Sequence, residues 1–149
     1  MRFVLVIAVA ALVSLPQAFA ANTDKIPDEQ ELTALEARAE HATPKEQCYL
    51  YAKLVQDMAD ETGRQLDAGN DSGASASLKA IQRYTEKIGR EITDHARKLK
   101  DAQIMMRRTA FRLQELMRGA SVSDQAEFQS TLKQMDQVQS QMMLAVFKK

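Results

Sequence analysis

The chain has 149 residues, one cysteine, eight methionines and no tryptophan, and its 20 basic residues balance its 20 acidic ones. This balance excludes a protein whose overall charge attracts it to nucleic acid or to a membrane surface. The single cysteine excludes an internal disulfide framework, and the many methionines with few aromatic residues are typical of the aliphatic core of a helical bundle.

The first twenty residues have the pattern of a cleavable signal peptide. One positive charge at Arg2 precedes an apolar run, and Pro16 and the small-residue pattern at 18–20 follow it. The run is shorter than the roughly 20 apolar residues that a membrane-spanning helix needs, so a retained anchor is the lesser alternative. We therefore expect a secreted or periplasmic protein with one helical domain at 21–149, which meets a membrane only through the cleaved signal peptide at 1–20.

Four helices are predicted in the mature chain, at about 28–41, 44–67, 74–118 and 123–147. The start of the second helix is the best marked: Thr43 suits the N-cap, Pro44 suits the first helical position, and Glu46 can complete a capping box. Ser121 or Ser123 can cap the fourth helix. Helix-period apolar positions recur in all four segments, and no segment has the alternation of a strand.

The third helix carries the strongest pattern. Apolar or small residues recur at alternating steps of three and four from Leu78 to Ala120, as in a coiled coil. No proline interrupts them, and Gly89 is the one weak position, costing about 1 kcal/mol relative to alanine. The pattern predicts an all-α fold: a helical hairpin or bundle of about four helices organised on one long coiled-coil-like central helix. The alternative is a break near Gly89, after which the pieces collapse into a compact four-helix bundle.

Short connections make successive helices antiparallel neighbours. The second helix should therefore lie along the first half of the central helix, and the fourth helix along its second half. The first of these arms would be only a helical pair, which buries too little apolar surface to be stable alone. We therefore expect the chain to self-associate as a dimer.

Positive charge is concentrated at 97–118, where seven basic residues face only two acidic ones. Three apolar residues in this segment lie off the main apolar stripe. We expect the acidic first helix to cover them with Leu32 and Leu35; the alternative is that they form a surface for a protein partner. The residues of this possible interaction surface are Ile104, Met105, Arg107, Arg108, Phe111 and Arg112.

Two side chains could carry chemistry of their own. His95 lies on the apolar stripe and could bind a metal ion or haem, although such a residue is more often a hydrogen-bonded histidine at the core edge. No accompanying ligand motif is present, so we expect no cofactor. Cys48 could form an intermolecular disulfide, and its alternative is a small buried residue of the second helix. Because no nucleophile has a base beside it, we expect no enzymatic activity.

The segment Leu32-Thr33-Ala34-Leu35-Glu36 resembles the Leu-Thr-x-x-Gln element of small helical periplasmic stress chaperones, with Glu36 in place of glutamine and a single copy of the element. Taken whole, the chain is more similar to uncharacterised families of short secreted helical bacterial proteins. These resemblances imply a helical fold and carry no activity over to this chain.

We therefore expect a non-enzymatic interaction or scaffold protein of the bacterial envelope, which presents helix faces to a protein partner and binds no nucleic acid. A second hypothesis is a chaperone-like binder with an apolar groove of methionines, and a third is a metal- or haem-binding bundle that uses His95. The methionines of the groove would be Met105, Met106, Met117, Met135, Met142 and Met143.

Overall fold

The computed structural model describes residues 27–92 and 96–148, and these residues form five α-helices. The helices are α1 Glu29–His41, α2 Pro44–Asp67, α3 Asp71–Glu91, α4 Leu99–Gly119 and α5 Val122–Phe147. No strand occurs in this part of the chain, which confirms the all-α prediction. The predicted signal peptide and His95 lie outside the described residues.

Helices α2 to α5 form a four-helix bundle made of two antiparallel hairpins. Helix α2 pairs with α3, and α4 pairs with α5; the hairpins then face each other, with α4 against α2 and α5 against α3. The backbone N–H of Arg97, just before α4, donates to the carbonyl of Lys45 at the start of α2 over 2.7 Å. The helices α2 and α4 therefore begin at the same end of the bundle and run parallel.

The prediction of one continuous helix at 74–118 is wrong, and with it the count of four helices. Helix α3 ends at Glu91, Ile92 is extended, and α4 begins after Lys98, whose backbone is left-handed with φ at 55°. The two helices fold onto one core, where four helices cover more apolar surface than an arm of two would. The compact bundle is thus the alternative that holds, although the break falls after Gly89.

Gly89 lies within α3, at a point where this helix packs closely on α5. A Cβ at this position would lie 3.3 Å from Cγ2 of Val138, closer than ordinary van der Waals contact. The missing side chain lets the two backbones approach, which offsets the low helix propensity of glycine. The position that looks weakest in the sequence therefore lies at a close helix-helix contact.

The hairpin turns use the residues that the sequence suggests. Gly69 adopts a left-handed φ of 69° after α2, and the side chain of Asn70 then caps α3 by accepting from the N–H of Gly73 at 3.1 Å. Ser121 caps α5, as predicted. The capping box predicted at the start of α2 does not form, because the Thr43 hydroxyl bonds the Glu46 carboxylate instead of a backbone N–H.

Helix α1 lies on α2, outside the four-helix bundle. Two of its carboxylates form ion pairs with α3. Oε1 of Glu36 lies 3.9 Å from Nη2 of Arg83, and Oε1 of Glu40 lies 3.3 Å from Nζ of Lys87. The expectation that α1 covers the apolar residues of 97–118 is therefore wrong. The short connection makes α1 an antiparallel neighbour of α2, and its acidic residues find cations on α3 rather than on α4.

Two fully buried threonines of the core, Thr85 and Thr131, differ in the hydrogen bonding of their hydroxyl groups. Thr85 is fully buried, and its Oγ1 has no hydrogen-bond partner among the described residues. The equally buried Thr131 donates to the carbonyl of Glu127 and accepts from Nε2 of Gln82, both at 2.8 Å. We expect Thr85→Val to raise the free energy of unfolding by about 1 kcal/mol, because it removes an unsatisfied polar group at nearly constant volume.

Thr131→Val is the matched control. It removes the oxygen to which the Gln82 amide donates, and it should lower the free energy of unfolding by about 1–2 kcal/mol. Urea denaturation followed by circular dichroism measures both changes. Equal destabilisation by the two substitutions would show that the Thr85 hydroxyl does have a partner.

Candidate functional site

The outer side of α4 holds the exposed part of the predicted interaction surface. Its five exposed residues, called the α4 face below, are Ile104, Arg107, Arg108, Phe111 and Arg112. Ile104 and Phe111 expose 38% and 60% of their surface, whereas Met105 turns toward the bundle and packs against the core. Because Ile104 and Phe111 are seven residues apart, they lie on one side of the helix, two turns from each other.

The fold holds the α4 face outward through the opposite side of the same helix. Ala102, Met106 and Leu113 are fully buried, and Thr109 is nearly so. These residues recur at three- and four-residue steps, so they form the inner stripe of an amphipathic helix. Phe111 lies away from that stripe and cannot enter the core without turning the inner residues out.

The α4 face carries three arginines. Among the described residues, none of its three arginines forms an ion pair. Arg112 lies over α2, where its Nη2 would be 3.3 Å from a Cβ added at Gly63. Arg107 and Arg108 lie about one helical turn before Phe111 on α4. A surface of this kind favours a partner that brings carboxylates.

Cys48 lies inside the bundle. Its side chain is fully buried on α2, and burial raises the pKa of its thiol from the ordinary value of 9.0 to about 12. A thiol with so high a pKa is almost entirely protonated and therefore a poor nucleophile at neutral pH. An intermolecular disulfide would require α2 to leave its neighbours first.

The methionines do not form an open groove in the described part of the chain. Met106, Met135 and Met142 are fully buried, and Met105 and Met117 are partly buried against the core. Met143, on α5, is the exposed one, with 46% of its surface accessible. The methionines named for a groove therefore mostly fill the bundle core, as their helical spacing also allows.

The residues that could bind a metal ion are scattered in the described part of the chain. Across 27–92 and 96–148, no three histidine, cysteine, aspartate or glutamate side chains are grouped so that they could hold a metal ion. His95, the candidate ligand, is not among these residues. No helix within the same ranges is long and apolar enough to cross a lipid bilayer.

A basic cavity lies beside the start of α4, and the sequence does not predict it. The cavity has a volume of about 420 Å³, and Arg38 of α1 lines it together with Arg97 and Lys98. Only the last two belong to the basic segment at 97–118. Arg38 lies in a predicted acidic helix, so no local sequence signal relates it to the others.

Two surfaces of the described residues are candidates for binding: the α4 face, with its apolar side chains and arginines, and the basic cavity. Neither protein-family models, nor curated proteins, nor solved structures gave a match to this chain.

Proposed function

We propose that the protein is a non-enzymatic helical interaction protein of the secreted or periplasmic space, and that its α4 face binds an acidic amphipathic segment of a protein partner. The observation that carries this proposal is the exposure of Phe111, 60% accessible, among arginines that have no ion-pair partner in the described residues. The signal-peptide pattern at 1–20 supports the compartment.

The apolar part of the α4 face suits a helical partner. Ile104 and Phe111 are spaced by two helical turns, roughly 10 Å, so a partner helix with apolar residues at the same spacing can cover both. Fully burying a side chain of this size contributes about 1.5–3 kcal/mol. Phenylalanine and arginine are also enriched in protein interfaces, where a few such residues supply most of the affinity.

The charged part of the α4 face selects the partner. Each guanidinium can donate two parallel hydrogen bonds to one carboxylate, which favours glutamate or aspartate on the flanks of the partner segment. Two copies of the α4 face would instead oppose arginines with arginines. A face-to-face dimer through α4 is therefore disfavoured, and the partner surface should be acidic.

Self-association through another surface stays a prediction. An exposed arm of two helices would favour it, and the described helices α2 to α5 form a four-helix core without such an arm. In the proposed scheme the bundle acts as a rigid scaffold that presents the α4 face, and a dimer would present two such faces.

The proposal is tested with a labelled synthetic peptide that forms a helix, carries apolar residues at i, i+3 and i+7, and has glutamates on its flanks. We expect saturable binding in fluorescence anisotropy, weakened about tenfold by Phe111→Ser, since one apolar anchor contributes about 1.4 kcal/mol or more. Arg108→Gln should weaken binding less and reduce its dependence on salt.

Phe147→Ser is the matched control, because Phe147 is 77% exposed but lies on α5. Its binding should equal that of the wild type, and circular dichroism should show that both phenylalanine variants stay folded. The proposal fails if the acidic peptide does not bind, if a peptide of the same composition in scrambled order binds equally, or if both phenylalanine variants weaken binding alike.

A further inference from the structure

The basic cavity lies at the end of the bundle where α2 and α4 begin, away from the α4 face. Its lining is Arg38, Glu46, Tyr49, Leu50, Arg97 and Lys98. Three separate parts of the chain contribute: α1, the first turns of α2, and the two residues that precede α4. Among the described residues, the fold therefore brings three cations and one carboxylate to this cavity.

Among the described residues of the lining, Glu46 is the one carboxylate beside three cations. Oε1 of Glu46 lies 3.6 Å from Nη1 of Arg97, and the ammonium of Lys98 lies 4.6 Å from the ring centre of Tyr49. Arg38 forms no ion pair with any described residue. The described lining therefore carries more positive than negative charge, which favours an anionic ligand.

The backbone just before α4 is hydrogen-bonded to the start of α2, beside the cavity. Lys98 is the one non-glycine residue with a positive φ in the described part of the chain, and the N–H of Arg97 is bonded to the carbonyl of Lys45. The hydrogen bond fixes where the chain enters α4, and the Arg97 and Lys98 side chains extend from this backbone. A site that is already arranged loses less conformational entropy on binding.

We propose that this cavity binds a small organic anion with a carboxylate or phosphate head and an apolar body. The guanidinium groups of Arg38 and Arg97 suit either head group, since both anions accept paired hydrogen bonds. The side chains of Tyr49 and Leu50 supply the apolar wall. A volume of about 420 Å³ lies in the range of small-molecule sites.

The test titrates the folded mature chain with phenyl phosphate, benzoate, inorganic phosphate and the neutral phenol, using calorimetry and NMR. We expect phenyl phosphate or benzoate to bind saturably and more tightly than inorganic phosphate, and phenol not to bind. The comparison of the two aromatic anions identifies the preferred head group. Arg97→Gln and Arg38→Gln should each weaken binding roughly fivefold.

Two further variants distinguish a built site from general charge. Arg108→Gln removes the same charge from the α4 face and should leave the affinity unchanged. Glu46→Gln removes the competing carboxylate while keeping an acceptor for the Thr43 hydroxyl, and it should tighten binding roughly threefold. A misfolded variant cannot produce such a gain.

The inference is overturned if none of the anions binds saturably, if Arg108→Gln weakens binding as much as Arg97→Gln, or if Glu46→Gln weakens it. Because the α4 face is not part of the cavity, these outcomes are independent of the peptide experiment.

Discussion

Phe128→Ala should lower the free energy of unfolding by about 3–5 kcal/mol, because it removes a fully buried aromatic side chain and leaves a cavity that a packed bundle closes only in part. Phe128 is among the largest fully buried side chains of the described chain. A loss of this size is a large fraction of the about 5–15 kcal/mol that stabilises a typical domain. The midpoint of urea denaturation measures it.

The chain supplies its own controls for this prediction. Phe111 and Phe147 are 60% and 77% exposed, so replacing either by alanine should change the free energy of unfolding by less than about 0.5 kcal/mol. Similar losses for all three phenylalanines would mean that α5 does not pack with Phe128 inward, and the arrangement of the two hairpins would have to be revised.

Alkaline pH should destabilise the protein through Cys48. Burial raises the pKa of the thiol to about 12 in the folded state, against 9.0 in the unfolded chain. Above pH 9 the unfolded state therefore loses a proton that the folded state keeps, and stability falls as pH rises toward the folded pKa. Below pH 9 both states are protonated, so the thiol then adds no pH dependence.

The size of this effect is measured against Cys48→Ala. Between about pH 8 and about pH 10.5, the wild type should lose about 2 kcal/mol more than the variant, because one pKa unit corresponds to about 1.4 kcal/mol. Lysines and tyrosines titrate in both proteins and cancel in the difference. The thiol should also react with a disulfide reagent only as fast as the bundle opens. Parallel pH curves, or rapid modification of the folded protein, would contradict the burial of Cys48.

The helical fold and most of its core could be predicted from the sequence, because burial along a helix leaves a three-four period. Leu78, Ile88, Met106 and Leu113 are all predicted by that period and are buried. The break between α3 and α4 could not be predicted in the same way. Two helices that face one core repeat the period of a single long helix. Gly89, two residues before α3 ends, is compatible with both a continuous helix and a break.

A candidate site could be predicted from the sequence only where its residues lie close together along the chain. Ile104 and Phe111 could be recognised as apolar residues on the wrong side of a basic helix, since the relevant residues lie within two turns. What covers them depends on where α1 lies, which is a tertiary question. The basic cavity joins Arg38 to Arg97, and only the packing of α1 and α4 beside α2 brings the two together.

The pairing of helices also bears on how the chain reaches its native state. Within each hairpin, the partners are neighbours in sequence, so their contacts close short loops. Contacts between the hairpins, such as that of Gln82 with Thr131, span 49 residues. Contacts within the hairpins are thus short in sequence, as in the low-contact-order topologies that fold within about microseconds to milliseconds.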